Sequence, residues 1–289
     1  MPGLNTQLML ATARARFARF QLRLPPAAAP QAPLANMPAA IRSGAPPQTA
    51  FTRPQAARGL PLPCPPALFL AASGDAPDIE VQRARSSAMD AYLTRVCDAV
   101  GQAHAAWRAQ ARLAQVIVNA AQALGGTLLS APLEPEIRAR APREEQWQRS
   151  RSDAIAAGIG SCWENWQRSV SVPGLPWYPS FVAFPGPMAP PTPNIPMPLV
   201  ALTQSPIHLN GSQLKAQMLL RYSGDNEWPG ELFESVAAGL EAAFQLWAPS
   251  QMVTNVMGTG TVPTFAPPYV PVGPVVGGTA SQLPGAWLA

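Results

Sequence analysis

Three stretches of this chain align with one another without a gap: residues 93–107 (LTRVCDAVGQAHAAW), 152–166 (SDAIAAGIGSCWENW) and 233–247 (FESVAAGLEAAFQLW). In each, a β-branched or Leu residue recurs at the fourth and eighth places (Val96/Val100, Ile155/Ile159, Val236/Leu240), a small residue holds the seventh (Ala99, Gly158, Gly239), and a Trp closes the unit (Trp107, Trp166, Trp247). These offsets fall on one stripe of a 3.6-residue helix. A Gly inside a helix costs about 1 kcal/mol against Ala, a cost explained by close approach of a second backbone at the seventh place. The second place carries Thr94, Asp153 or Glu234, and the two acids suit a helix N-terminal turn. The pattern encodes no reaction. It specifies a helical building block used three times, each copy followed by a Gly/Pro-rich connector.

Charge divides the chain near residue 88. Residues 1–88 hold nine Arg, no Lys and three acids (Asp75, Asp78, Glu80), a net of +6, and the remainder carries a net of −2. This first segment also holds fourteen prolines and has no apolar periodicity beyond its first two dozen residues. It therefore cannot bury enough surface to offset the entropy of ordering, and residues 1–88 are expected to form a disordered arm. A chain starting at Met89 is expected to be equally helical. Within the arm, residues 12–24 (TARARFARFQLRL) fit one short basic amphipathic helix. Three readings stand for it: an organelle transit peptide, a contact to nucleic acid or another acidic surface, or an over-long start preceding Met89. The apolar stretch near the start is interrupted by Arg, unlike a secretory signal. Residues 60–73 are too short and too rich in Pro to span a bilayer.

From residue 89 onward the length suffices for a domain with a real core. A first helix is expected from Ser86 through Trp107 to Leu124, stopped by Gly125-Gly126, and a second from near Pro142 to Ser169. A third follows the turn that opens 205–222, and Pro229 opens a fourth that ends near Pro249, with 252–257 as a candidate extension. The predicted fold class is mainly α: a helical bundle built on the threefold repeat, with strands confined to short pairings in the connectors.

Those connectors, 172–198 and 258–289, are distinctive. The first packs ten prolines into 27 residues, so it can be neither helix nor central strand. Yet Trp177, Tyr178, Phe181 and Phe184 are interleaved with the prolines, and Phe265 and Tyr269 repeat the idea near the C-terminus. Apolar side chains on a stiff extended backbone need a surface to lie on. These six aromatics are candidates for a protein interface, and packing on the chain's own domain is the alternative. Ala99, Gly158, Gly239, Trp107, Trp166 and Trp247 are the candidate helix-packing residues.

The chemical inventory is thin. His104 and His208 are the only histidines, and Cys64, Cys97 and Cys162 have no metal-ligand spacing. No catalytic, cofactor-binding or metal residue is assigned. Cys97 and His104 lie two helical turns apart, the spacing of a nucleophile and base, but a Cys in an Ala/Val-rich helix ordinarily packs in a core. Three cysteines argue against a disulfide framework and for a reducing compartment. The single Lys, Lys215, does not follow Gly258-Thr259-Gly260, so a phosphate-binding loop is absent.

The series VPGLPWYPSFVAFPGPMAPPTPN and VTNVMGTGTVPTFAPPYVPVGPVVGG, set among Ala-rich helices ending in Trp, resembles a family of small uncharacterised structural proteins encoded beside tailed-phage and phage-tail-like particle genes. The resemblance spans residues 89–289 and transfers no catalytic residue. It implies a non-enzymatic assembly protein of a virion or particle. Such a protein binds copies of itself or neighbouring subunits and resides in the bacterial cytoplasm before assembly. The alternative is an accessory subunit of a large complex in an organelle matrix.

Overall fold

The computed structural model describes residues 3–20, 76–203, 209–224, 228–263, 272–286 and 288. The chain divides into two compact units, one made of Met1–Phe17 and Tyr92–Ala289, the other of Ala18–Ala91. In the second unit the described residues are the end of helix α1 (Thr6–Arg19) and the beginning of helix α2 (Ala76–Gln110). The first unit holds the remaining described elements.

The three repeats lie on three helices: α2, α4 (Gln146–Ser169) and α6 (Pro229–Ser250). Between them come α3 (Leu133–Arg140) and α5 (Gly211–Leu220). Local signals explain their starts. Gln148 Oε1 accepts from the Glu144 and Glu145 amides at the head of α4. Asn210 Oδ1 accepts from the Gln213 amide at the head of α5, and Pro229 occupies the first position of α6.

A mainly α bundle is overturned by a six-stranded antiparallel sheet in the order β3-β2-β1-β10-β8-β5. Its strands are β1 (Arg112–Asn119), β2 (Gln122–Leu129), β3 (Val172–Pro176), β5 (Met188–Pro193), β8 (Met257–Thr261) and β10 (Val276–Ser281). Two two-stranded ladders accompany it: β4 (Phe184–Pro185) with β9 (Val272–Gly273), and β6 (Met197–Pro198) with β7 (Met252–Val253). The architecture is a mixed α/β arrangement of a helical layer and a sheet.

Residues 111–129 form a hairpin, where a helix was expected to run on to Leu124, and the helix stops at Gln110. Val116-Ile117-Val118 is a β-branched run that favours a strand. Its turn, with Ala120 at φ 50°, is held by bonds from distant residues: the Trp177 and Tyr178 amides donate to Ala121 O, and the Ala120 amide donates to Val275 O. Gly125 and Gly126, read as a helix stop, instead lie within β2 at φ 74° and 84°. There, a Cβ on Gly126 would sit 2.7 Å from the Val116 side chain. Residues 252–257 likewise do not prolong α6; they lead into β7 and β8.

The Pro-rich connectors contribute strands, and proline decides where. β3, with Pro173 and Pro176, and β5, with Pro190, Pro191 and Pro193, occupy the two edges, where a missing N–H breaks no ladder on the outer side. The Gly-rich β8 and β10 lie inside. Gly258 lets the Tyr178 ring approach so closely that a Cβ there would be 2.6 Å from it, and Gly260 and Gly278 face each other with similar closeness.

The disordered-arm expectation does not hold for residues 6–17. Met9, Leu10 and Ala13 of α1 are buried. Arg14 donates to Thr94 Oγ1 at 3.1 Å and Arg16 Nε to Glu234 Oε1 at 2.9 Å. Residues 21–75 lie outside the described residues.

Candidate functional site

The closing Trp residues of the three repeats meet. Ring centroids are 6.0 Å apart for Trp107–Trp166, 6.5 Å for Trp107–Trp247 and 6.2 Å for Trp166–Trp247, and Trp163 and Phe244 complete the cluster. All three closing Trp are at most 3% exposed. Trp107 Nε1 donates to Gln167 Oε1 at 2.8 Å, and Gln167 Nε2 donates to Leu128 O at 2.9 Å, tying α2 and α4 to the sheet.

His104 sits inside this cluster, its ring centroid 4.7 Å from Trp247, 5.4 Å from Trp163 and 5.7 Å from Trp107. Neither ring nitrogen has a hydrogen-bond partner among the described residues. Burial, with a smaller contribution from Arg108, pushes its pKa down to about 3. Burial also pushes the Cys97 thiol up to about 12, with Asp98 adding to it and Arg14 opposing. A nucleophile and base require a thiolate and a basic imidazole, and the packing disfavours both. His208 and Cys64 lie outside the described residues.

The small seventh-place residues lie at helix contacts. A Cβ on Gly158 would be 2.8 Å from Met218 N of α5, and one on Gly239 would be 2.5 Å from Met9 O of α1; Ala99 is buried. The second-place residues do not stabilise an N-terminal turn, since Asp153 and Glu234 stand well inside α4 and α6. Each instead accepts from an Arg of another segment: Thr94 from Arg14, Asp153 from Arg143 and Arg138, Glu234 from Arg16. Lys215 reaches Glu234 at 2.7 Å, and that bond is the main reason the carboxyl is held below its usual range.

Three of the four candidate interface aromatics of the first connector are interior. Trp177, Tyr178 and Phe181 are 0, 1 and 0% exposed. Tyr178 stacks on Phe181 at 5.0 Å and donates its hydroxyl to Val256 O at 2.9 Å. Phe184 is half-buried against Phe181. The connector closes on its own domain because the small residues of β8 leave room beneath the sheet. Phe265 and Tyr269 lie outside the described residues. Tyr178→Phe should cost about 0.5–1.5 kcal/mol in a denaturant titration, because Val256 O loses its hydroxyl donor and keeps the Asn194 amide.

An exposed feature takes their place, and the sequence reading missed it. Paired residues on an antiparallel sheet share a face. Ile117 opposes both Leu124 and Thr279, Val276 opposes Thr261, Thr261 opposes Met188, and Ser281 opposes Met257. The opposite face carries Leu113/Leu128, Val118/Ala123 and Ala280/Gly258, all buried. Its outer counterpart therefore shows apolar side chains to solvent: Met188 is 60% exposed, Val276 48% and Ile117 45%. The signal was the alternation in RLAQVIVN, hidden by the Ala- and Gln-rich residues that follow.

Elsewhere, a cleft of about 540 Å³ lies beside the head of α4, lined by Arg143, Trp147, Arg149, Asp153 and Ser223 among others. Arg143 pairs with Asp153, and Arg149 donates to the backbone oxygens of Arg143 and Glu144. Among the described residues, no group of three or more His, Cys, Asp or Glu could hold a metal ion. No helix among them is long and apolar enough to cross a membrane. No family model, curated protein or solved structure matches the chain.

Proposed function

We propose that this chain is a non-enzymatic structural subunit of a phage or phage-tail-like particle, which binds copies of itself or neighbouring particle proteins. The observation that carries the reading is the outer sheet face, where large apolar side chains stand exposed on adjacent strands. Patches of this kind mark protein contact sites. The proline- and glycine-rich segments that resemble particle proteins serve this assembly role by building the sheet's edges and its interior strands. The packing of Cys97 and His104 favours a structural role over catalysis for this Cys–His pair. The organelle reading, with a cleavable N-terminal segment, fits less well, because cleavage would strip Met9 and Ala13 from the face of α6 that carries Gly239.

The test is to purify particles from the producing cells on a density gradient and quantify this chain by mass spectrometry. It should co-sediment with tube, sheath or capsid proteins in a fixed ratio. A chain that stays at the top of the gradient while the particles sediment would overturn the reading.

A further inference from the structure

We infer that two copies of this chain pack through the outer faces of their six-stranded sheets, an inference that rests on the assembly reading above and names its first partner. Six of the fourteen large apolar residues exposed among the described residues lie on this one surface: Ile117, Leu124, Leu129, Met188, Met257 and Val276. The sheet register brings them into adjacent rows, separated by Thr127, Thr261, Thr279 and Ser281.

Charge, geometry and area select a second copy as the occupant. The rows contain no acid. The one cation in the named pairs is Arg112, opposite Leu129 at one end of β1. A partner recognised by charge would find little to bind here. A second copy meets no repulsion, because a two-fold axis can set the two arginines at opposite ends of the contact. Strand addition at the edges is obstructed by Pro173 and Pro176 on β3 and by Pro190, Pro191 and Pro193 on β5. Association through the sheet is thereby directed to its face. Six strands about 4.8 Å apart, each five to eight residues at about 3.3 Å, make a face of roughly 500 Å². Two such faces bury on the order of 1,000 Å², the lower bound for a specific interface. The dimer is therefore reversible, with β-branched, Leu, Met and Thr side chains interleaved as in a sheet sandwich.

Sedimentation equilibrium of the full chain from about 1 to about 200 μM, the range where interfaces of this size associate, should show the mass rising from 30.5 kDa toward twice that value. Ile117→Lys and Val276→Lys, each checked for an unchanged circular dichroism spectrum, should hold the protein monomeric throughout. Leu246→Lys, at an exposed position on α6, should leave the association intact. If a lysine variant fails to fold, the strand-compatible pair Ile117→Thr/Val276→Thr should weaken dimerisation at least roughly tenfold. A protein that stays monomeric at the highest concentration overturns the inference, as does a dimer indifferent to substitutions on this face. A monomer that still co-sediments with particles sinks the inference and leaves the proposed function standing. A face-dependent dimer absent from particles does the reverse.

Discussion

Replacing Gly239 by Leu is expected to destabilise the full chain by roughly 1–3 kcal/mol and to loosen α1 from its seat. A Cβ at this position would lie 2.5 Å from the backbone oxygen of Met9 and 3.3 Å from the Ala13 Cβ. A carbonyl in a helix cannot rotate aside, so α1 must move away or α6 must shift. The control is the same substitution in a chain lacking residues 1–20. There the clash is absent, and Leu should be neutral or stabilising by about 1 kcal/mol through helix propensity. Urea titrations of the four proteins decide it. An equal cost with and without α1 would show that something else crowds Gly239. For the same reason, a chain starting at Met89 should melt below the full-length protein, contrary to what composition alone suggests. It loses the buried Met9, Leu10 and Ala13 together with the Arg16–Glu234 pair.

His104→Leu is expected to weaken the acid dependence of stability. The imidazole is buried against Trp107, Trp163 and Trp247, with Arg108 the charged group acting on it. Its folded-state pKa of about 3 lies below the ordinary histidine value of 6.5. The unfolded chain therefore takes up a proton before the folded one does. Stability is fully present above about pH 6.5 and is lost as the pH falls toward 3, by at most about 1.4 kcal/mol per pH unit. The leucine side chain of the variant takes up no proton in either state, so this component of the acid loss should vanish. At neutral pH the variant should be more stable by on the order of 1–3 kcal/mol, since two unpartnered buried nitrogens are removed. Denaturant midpoints of both proteins from pH 4 to pH 8 provide the comparison. Parallel pH curves would mean that His104 is reachable by water or paired in solution.

Much of the helical layer was legible because its signals are local. Pro229 opens its helix, and a Trp fifteen places along each repeat falls on the buried stripe whatever surrounds it. The exclusion of proline from central strands was legible too, and β3 and β5 sit at the edges accordingly. The sheet itself was not. Residues 111–124 set the β-branched run Val116-Ile117-Val118 among Ala, Gln and Leu, so local propensity is divided between strand and helix. What turns them into a hairpin is pairing with β10, more than 150 residues away in sequence, and the bonds from Trp177, Tyr178 and Val275 to the Ala120-Ala121 turn.

The candidate surface was hidden for a related reason. Aromatics on a stiff connector advertise buried area without saying whose surface buries it. Trp177, Tyr178 and Phe181 bury against their own domain because Gly258 opens a space for the Tyr178 ring. Ile117 and Val276 look like ordinary core residues, and only the register of β1 and β10 turns them outward.

By itself the sequence determined three like helices, each with a small residue at a potential crossing and a Trp at its end, together with the places no central strand could form. These follow from periods of a few residues and from the missing amide of proline, both written within a single turn or strand. Tertiary structure alone decided that the three closing Trp converge, with His104 packed against two of them, that the connectors become a sheet, and that α1 belongs to the body. Each of those outcomes depends on contacts between residues far apart in the chain, whose energy no local window contains.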